Sequence, residues 1–274
     1  MKRGREHKGT IRQKTTHCGK RGEKERYREI DIYASFDIKN KTRGPKINKS
    51  TLKQKKLNDK RARRYFNQLV QTNFKENDLH ISLTYNERHK PETLEVAEKN
   101  LDNFIRRLKR KREAAGLEPL KYVAVTEHGG KGGRIHHHLI INGGLSRDDV
   151  EATWTTGGRG KKKGEPLGYA NADRLQLDPQ RGLEALSNYL MKKPQGRKRW
   201  SQSRNLLKPW ETVSDSAVSG KALDTLLTAP EDSEETAAIF EKLHKGYKLL
   251  GMKREFIEDV GLWYITAKMY KPPC

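Results

Sequence analysis

Over residues 79–85, Leu79, Ile81, Leu83 and Tyr85 alternate with His80, Ser82 and Thr84. A period of two is that of a strand. From Leu94 the period lengthens to that of a helix, with Leu94, Ala97, Leu101, Phe104, Ile105 and Leu108 on one stripe. Pro91 stands near its start, the basic run 106–112 enriches its last turns, and Gly116 marks its end. Residues 122–127 and 135–141 read as two strands of a hairpin across the glycine-rich turn 129–133. Ser146, with Asp149 placed for a capping box, opens a short helix, and the Gly/Lys loop 157–164 leads to a strand predicted at 174–178. A helix over 183–193 is stopped by Pro194, and residues 53–74 also carry helical spacing. Beyond Arg197 the pattern predicts a basic loop, helical stretches near Leu223 and over 237–250, and a last strand over 262–269. Residues 1–50 show no sustained period apart from a possible strand at 27–36, which predicts a basic arm. Strands interleaved with helices in this order predict an α+β fold, a central antiparallel sheet packed by helices on one face. The expected organisation is an arm (1–50), a main domain (51–200) and a C-terminal extension (201–274) that packs on or completes the main domain.

Charge changes the picture. The 274 residues carry 58 Lys and Arg against 35 Asp and Glu, a net charge of +23, and only 33% of them are hydrophobic. That balance calls for a polyanionic partner, and nucleic acid is the usual one. The two cysteines, Cys18 and Cys274, lie far apart and outside any C-x-x-C spacing, which speaks against a disulfide framework or zinc knuckle and suits a reducing cytoplasm. No apolar run is long enough to span a membrane. No Walker loop is present, so any DNA unwinding must come from a partner.

The chemistry concentrates in Gly133-Arg134-Ile135-His136-His137-His138. Side chains two apart on a strand share a face, so His136 and His138 can close on one cation while His137 faces away. Glu127 reaches the same face if the hairpin register sets it opposite the histidines, with His128 as the alternative. A histidine tag is terminal, whereas this run is embedded in apolar strand residues. The second feature is Tyr189, on the helix striped by Leu183, Leu186 and Leu190, with Lys192 or Lys193 within one turn. An adjacent ammonium favours the phenolate of a tyrosine and neutralises a phosphate under attack. Alone, a Tyr-x-x-Lys spacing is also that of a tyrosine at the edge of a core.

Taken together, these residues resemble the HUH endonucleases, specifically the single-tyrosine replication initiators of small phages, plasmids and integrative elements. The resemblance runs from Leu79 to Lys193: Leu79-His80-Ile81-Ser82-Leu83-Thr84-Tyr85, then Glu127, Gly-Arg-x-His-x-His, and Tyr-x-x-Lys. The tract from Trp200 to Pro209 is similar to a segment that follows the tyrosine helix in relatives from Gram-positive bacteria and their elements. The resemblance implies a ferredoxin- or RNA-recognition-like sheet, His136, His138 and Glu127 as ligands of Mg or Mn, Tyr189 as nucleophile and Lys192 as its assistant. It implies a nick in single-stranded origin DNA, a 5′-phosphotyrosine link and later rejoining, as in rolling-circle replication with a host helicase and polymerase. His137 departs from the family, which has a hydrophobic residue between the two histidines. Arg134, Arg106, Arg107, Lys109, Arg110, Lys193, Arg197 and Arg199 are candidate DNA contacts, with Trp154 and Trp200 as candidate stacking platforms.

Other readings use the same residues differently. A single-tyrosine transposase is generally shorter, and a relaxase usually carries a third histidine ligand where this chain offers Glu127. A non-catalytic domain of the RNA-recognition type lacks its aromatic pair here. An iron oxygenase needs another ligand order and a less basic surface.

Overall fold

The computed structural model describes residues 10–23, 25–35, 52–128, 133–158, 164–192, 198–258 and 261–272. In chain order its elements are β1 (Thr10–Cys18), β2 (Tyr27–Ser35), α1 (Leu52–Asn73), β3 (Leu79–Leu83), α2 (Leu94–Ala114), β4 (Tyr122–His128), β5 (Ile135–Ile141), α3 (Arg147–Glu151), β6 (Ala170–Arg174), α4 (Glu184–Leu190), β7 (Ser201–Gln202), β8 (Trp210–Ser214), α5 (Gly220–Thr228), α6 (Glu234–Leu243), β9 (Lys248–Ile257) and β10 (Leu262–Tyr270). The chain is α+β as expected, but with two five-stranded antiparallel sheets among the described residues rather than one. It divides into two units, one of residues 65–177 and 183–207, the other of 1–64, 178–182 and 208–274.

In the first of these units the strand order is β6-β3-β5-β4-β7. Both faces of this sheet are covered. Leu79, Ile81, Leu83, Leu139 and Ile141 pack with Leu101, Phe104, Ile105 and Leu108 of α2, whereas Val123, Val125 and Ile140 pack with Phe66, Leu69 and Val70 of α1 and Leu190 of α4. The expectation of helices on one face is corrected by this second layer. Its cause is the run Leu139-Ile140-Ile141, which is fully buried and so puts apolar groups on both sides of β5. Helix α2 begins at an N-cap, Thr93, whose side chain accepts from Val96 N, and ends before Gly116, whose φ of +64° suits the left-handed turn after a helix. Arg112, at its last turn, is buried and donates to the carbonyls of Glu118, Asn142 and Gly143. Ser146 caps α3 and also bonds Asp149, as the capping-box spacing predicts. The strand predicted at 174–178 lies earlier, as β6, where only Ala170 and Ala172 mark the buried side.

The other unit has the order β8-β1-β2-β10-β9. Ile30, Ile32, Met252, Ile265, Ala267 and Met269 form its core with Leu226 of α5 and Phe240 of α6. Residues 10–35 of the expected arm are therefore two full strands. Their inward positions include Gln13, Thr15, Thr16 and His17, so burial there is polar and leaves no hydrophobic period to read. His17 Nδ1 and Glu25 Oε1 lie 2.7 Å apart, Arg28 pairs with Glu25, and the His17 ring stacks on Trp210 at 3.8 Å. The helix expected over 237–250 ends at Leu243, and Lys248 already begins β9.

Candidate metal centre and tyrosine

Strand β5 sets the site. Its odd positions, Ile135, His137, Leu139 and Ile141, face α2, and its even positions, His136, His138 and Ile140, face the α1 and α4 side. The β4–β5 register pairs Glu127 with His136 and Val125 with His138. Directly opposed residues of an antiparallel pair share a face, so Glu127 joins the two histidines. Glu127, His136 and His138 each offer one ligand atom within 4.8 Å of the others, the one such group found among the described residues. His128 pairs with Ile135 and thus belongs to the other face.

The donor atoms are prepared for a cation. The carbonyl of Arg134 can only accept, so at 3.2 Å it takes a proton from His136 Nδ1 and leaves Nε2 as the ligating nitrogen. That Nε2 lies 3.6 Å from Glu127 Oε2, two electron-rich atoms that need a proton or a cation between them. His138 Nδ1 bonds Ser82 Oγ at 3.1 Å, and its Nε2 is buried with no hydrogen-bond partner among the described residues. An orphaned buried nitrogen is costly unless something ligates it. Burial, together with the nearby His80 and His136, lowers the His138 pKa to about 4 and keeps the ring neutral, the form that binds a metal. The residues present therefore fit a divalent cation. Neither Ser82 nor His80 was singled out from the sequence. Both lie on the polar face of β3, and the His80 ring stacks 5.5 Å from that of His138. Their alternation was visible, but their register against β5 was not.

His137 faces away, as the strand period predicts. It is fully buried between Thr126 Oγ1 and the Tyr85 hydroxyl, each 2.9 Å from a ring nitrogen, and its pKa falls to about 3 through burial and the neighbouring histidines. The Ala97 carbonyl accepts from Tyr85, so that hydroxyl accepts in turn from His137 Nε2.

Tyr189 comes from α4 onto the same face as the triad. Its ring centroid is 5.3 Å from that of His138 in an edge-on arrangement, and the side chain is 50% exposed. Burial of Ser187 and Leu190, with Leu183 packed beneath, turns the helix so that Tyr189 is left outward. Lys192 lies past the helix end, in a turn where its N–H bonds the Tyr189 carbonyl at 3.1 Å.

Residues 78–194 match the model of a family described as Replication-associated protein ORF2. No curated protein and no solved structure matches the chain. The matched segment runs from just before β3 to just beyond α4 and holds Glu127, the three histidines and Tyr189. It supports a replication initiator protein, for which DNA is the partner, and no described helix is long and apolar enough to cross a membrane.

The basic residues are scattered by comparison. Arg106, Lys109 and Arg110 are exposed on α2, which packs on the sheet face opposite Tyr189. Arg107 donates to the carbonyls of Thr153 (3.2 Å) and Thr155 (2.7 Å), Arg134 pairs with Glu87, and Arg199 is exposed. Lys193, Arg197 and the run 161–163 lie outside the described residues. The stacking role expected of Trp154 is corrected: it is 1% exposed, edge-on to Tyr85 and Phe104, with its indole N–H on the Thr84 carbonyl. Trp200 packs on Tyr65 and Phe66.

Proposed function

We propose that the protein is a replication-initiation endonuclease that nicks single-stranded origin DNA through Tyr189 and rejoins it. The observation that carries this reading is the placement of an exposed tyrosine ring 5.3 Å from a histidine of a three-ligand cluster, on one face of one sheet. Glu127, His136 and His138 would hold the cation. When bound, Mg²⁺ or Mn²⁺ supplies charge neutralisation at the non-bridging oxygens of the phosphodiester. Tyr189 attacks phosphorus in line; its oxygen–phosphorus bond forms as the bond to the 3′ oxygen breaks. The phenol proton is lost to solvent, and the departing 3′ oxygen takes one up. The product is a 5′-phosphotyrosine link. One phosphodiester replaces another, so a later 3′-hydroxyl can reverse the exchange without ATP. Lys192, three residues on from Tyr189, favours the phenolate and offsets phosphate charge. Exposed basic residues, Arg199 and the α2 set among them, hold the backbone of the strand, and unwinding and synthesis fall to a host helicase and polymerase.

A denaturing gel tests the reading, using end-labelled single-stranded origin DNA and Mn²⁺ with wild type, Tyr189→Phe and the His136→Ala/His138→Ala double variant. Wild type alone is expected to give a shortened strand and a slow, protease-sensitive adduct. DNA binding without any adduct in wild type would sink the enzyme and leave a binding protein.

A further inference from the structure

Where β3 ends, a cavity of about 300 Å³ opens between the end of α3 and the start of β6, lined by Glu151, Trp154, Thr155, Pro166, Gly168 and Tyr169. We infer that this cavity takes one unpaired nucleobase of the DNA strand, stacked on Tyr169 and read by Glu151; the inference rests on the proposed function.

Tyr169 is 68% exposed, the highest value among the large exposed hydrophobic side chains, so its ring is a bare aromatic wall. Its backbone is nonetheless fixed. The Tyr169 carbonyl accepts from both Thr84 N (2.8 Å) and Thr84 Oγ1 (3.2 Å). Just before it, Gly168 runs so close to β3 that a Cβ there would lie 2.3 Å from the Thr84 carbonyl oxygen, an approach only glycine permits. A rigidly anchored yet exposed aromatic ring is what sequence-tolerant base stacking uses. The cavity floor is the buried Trp154, held by its indole bond to the Thr84 carbonyl.

Glu151 sets the chemistry of the occupant. Its Oε1 accepts from Ala172 N at 2.8 Å, which holds the side chain in place, and a carboxylate has capacity for further donors. A carboxylate repels a phosphate but accepts from the exocyclic amine of cytosine, and thymine offers a carbonyl in the same position. The pocket is therefore built for a base, and among pyrimidines for cytosine.

Its position fits the same strand. Thr84 lies two residues from Ser82, which faces His138 across β3–β5, so strand geometry puts Tyr169 about 12 Å from His138, backbone to backbone. The base bound there lies close to the phosphate presented to Tyr189.

Fluorescence anisotropy with labelled oligo-dC and oligo-dT of equal length tests this on the full chain in metal-free buffer. Wild type is expected to prefer oligo-dC. Tyr169→Ala should bind roughly 5- to 150-fold more weakly, the range for losing one stacked base, and Tyr169→Phe should bind like wild type. Glu151→Gln retains an oxygen for Ala172 N while presenting an amine to the base, so it should lose the preference for cytosine. Unchanged affinity in Tyr169→Ala, equal weakening in Tyr169→Phe, or no preference in wild type would overturn the inference. Adduct formation measured on the same variants separates the two readings. If Tyr169→Ala weakens binding while wild type forms no adduct, the pocket stands and the nicking reading falls. If adducts form and Tyr169→Ala binds normally, the reverse holds.

Discussion

Replacing Ser82 by alanine separates a histidine held as a ligand from one that is merely buried. Ser82 stands opposite His138 in the β3–β5 pairing, with Oγ 3.1 Å from Nδ1. If the hydroxyl accepts from Nδ1–H, the lone pair is left on Nε2, the atom without a partner. The substitution deletes one oxygen and leaves the strand intact. A neutral hydrogen bond is worth about 0.5–1.5 kcal/mol net, a factor of roughly 2–13 in the fraction of His138 with the right tautomer and angle. Partners that orient metal-binding histidines typically change affinity 10- to 100-fold when removed. The ranges meet near ten, so Ser82→Ala is expected to bind Mn²⁺ about tenfold more weakly, and His138→Ala, which removes the donor itself, more weakly still. Titration calorimetry or the paramagnetic signal of free Mn²⁺ on the full chain near neutral pH reads both, and a thermal melt of each variant checks the fold. Wild-type affinity in Ser82→Ala beside a weakened His138→Ala would refute the orienting role. Wild-type affinity in both would refute the metal centre.

Three further outcomes follow from packing and charge. Phe104→Ala opens a void beneath Trp154 at a fully buried position, and a loss of about 3–5 kcal/mol is expected in a urea melt of the unit that holds it; a loss below about 1 kcal/mol would contradict the packing. Tyr85→Phe leaves His137 Nε2 buried without its partner and should cost about 1–3 kcal/mol, with no change in Mn²⁺ affinity because His137 faces away from the site. In the other unit, burial and the charges of Arg28 and His17 lower the His244 pKa to about 4, opposed by Glu25, and Gln13 completes its surroundings. A histidine depressed on folding binds its proton in the unfolded chain first, so its contribution is complete above about pH 6.5 and is lost as pH falls towards 4. Melting temperature measured against pH should fall across that window by the equivalent of roughly 2 kcal/mol after allowance for solvent screening, and His244→Gln should flatten it.

How far the sequence revealed this arrangement depended on whether each element buries apolar groups with a clean period. Strand β3, helix α2 and the β4–β5 hairpin do, and their positions were legible. Strand β1 does not: Gln13, Thr15, Thr16 and His17 are its buried positions, and its stability comes from polar pairing such as His17 with Glu25. Strand β6 hides the same way, because alanines mark its inner side. At the site, His136 and His138 were readable since a strand alone fixes their common face. Glu127 could be named only on condition of the hairpin register, and Ser82 and His80 not at all, since they depend on the pairing of residues far apart in sequence.

The largest gap concerned which helix covers which face. The run Leu139-Ile140-Ile141 requires cover on both sides of β5, and two sets of cationic or nucleophilic residues, those of α2 and those of α4, were available to stand beside His138. The side-chain period of β5 decides between them. Leu139 and Ile141 share the parity of His137 and bind the α2 stripe, so Arg106, Lys109 and Arg110 are carried to the far face. Ile140 shares the parity of His136 and His138 and packs in the cluster that includes Leu190, which brings Tyr189 to the ligands. The juxtaposition of tyrosine and histidines thus follows from which apolar residues of β5 each helix covers, and a substitution at Ile140 should disturb Tyr189 before it disturbs α2.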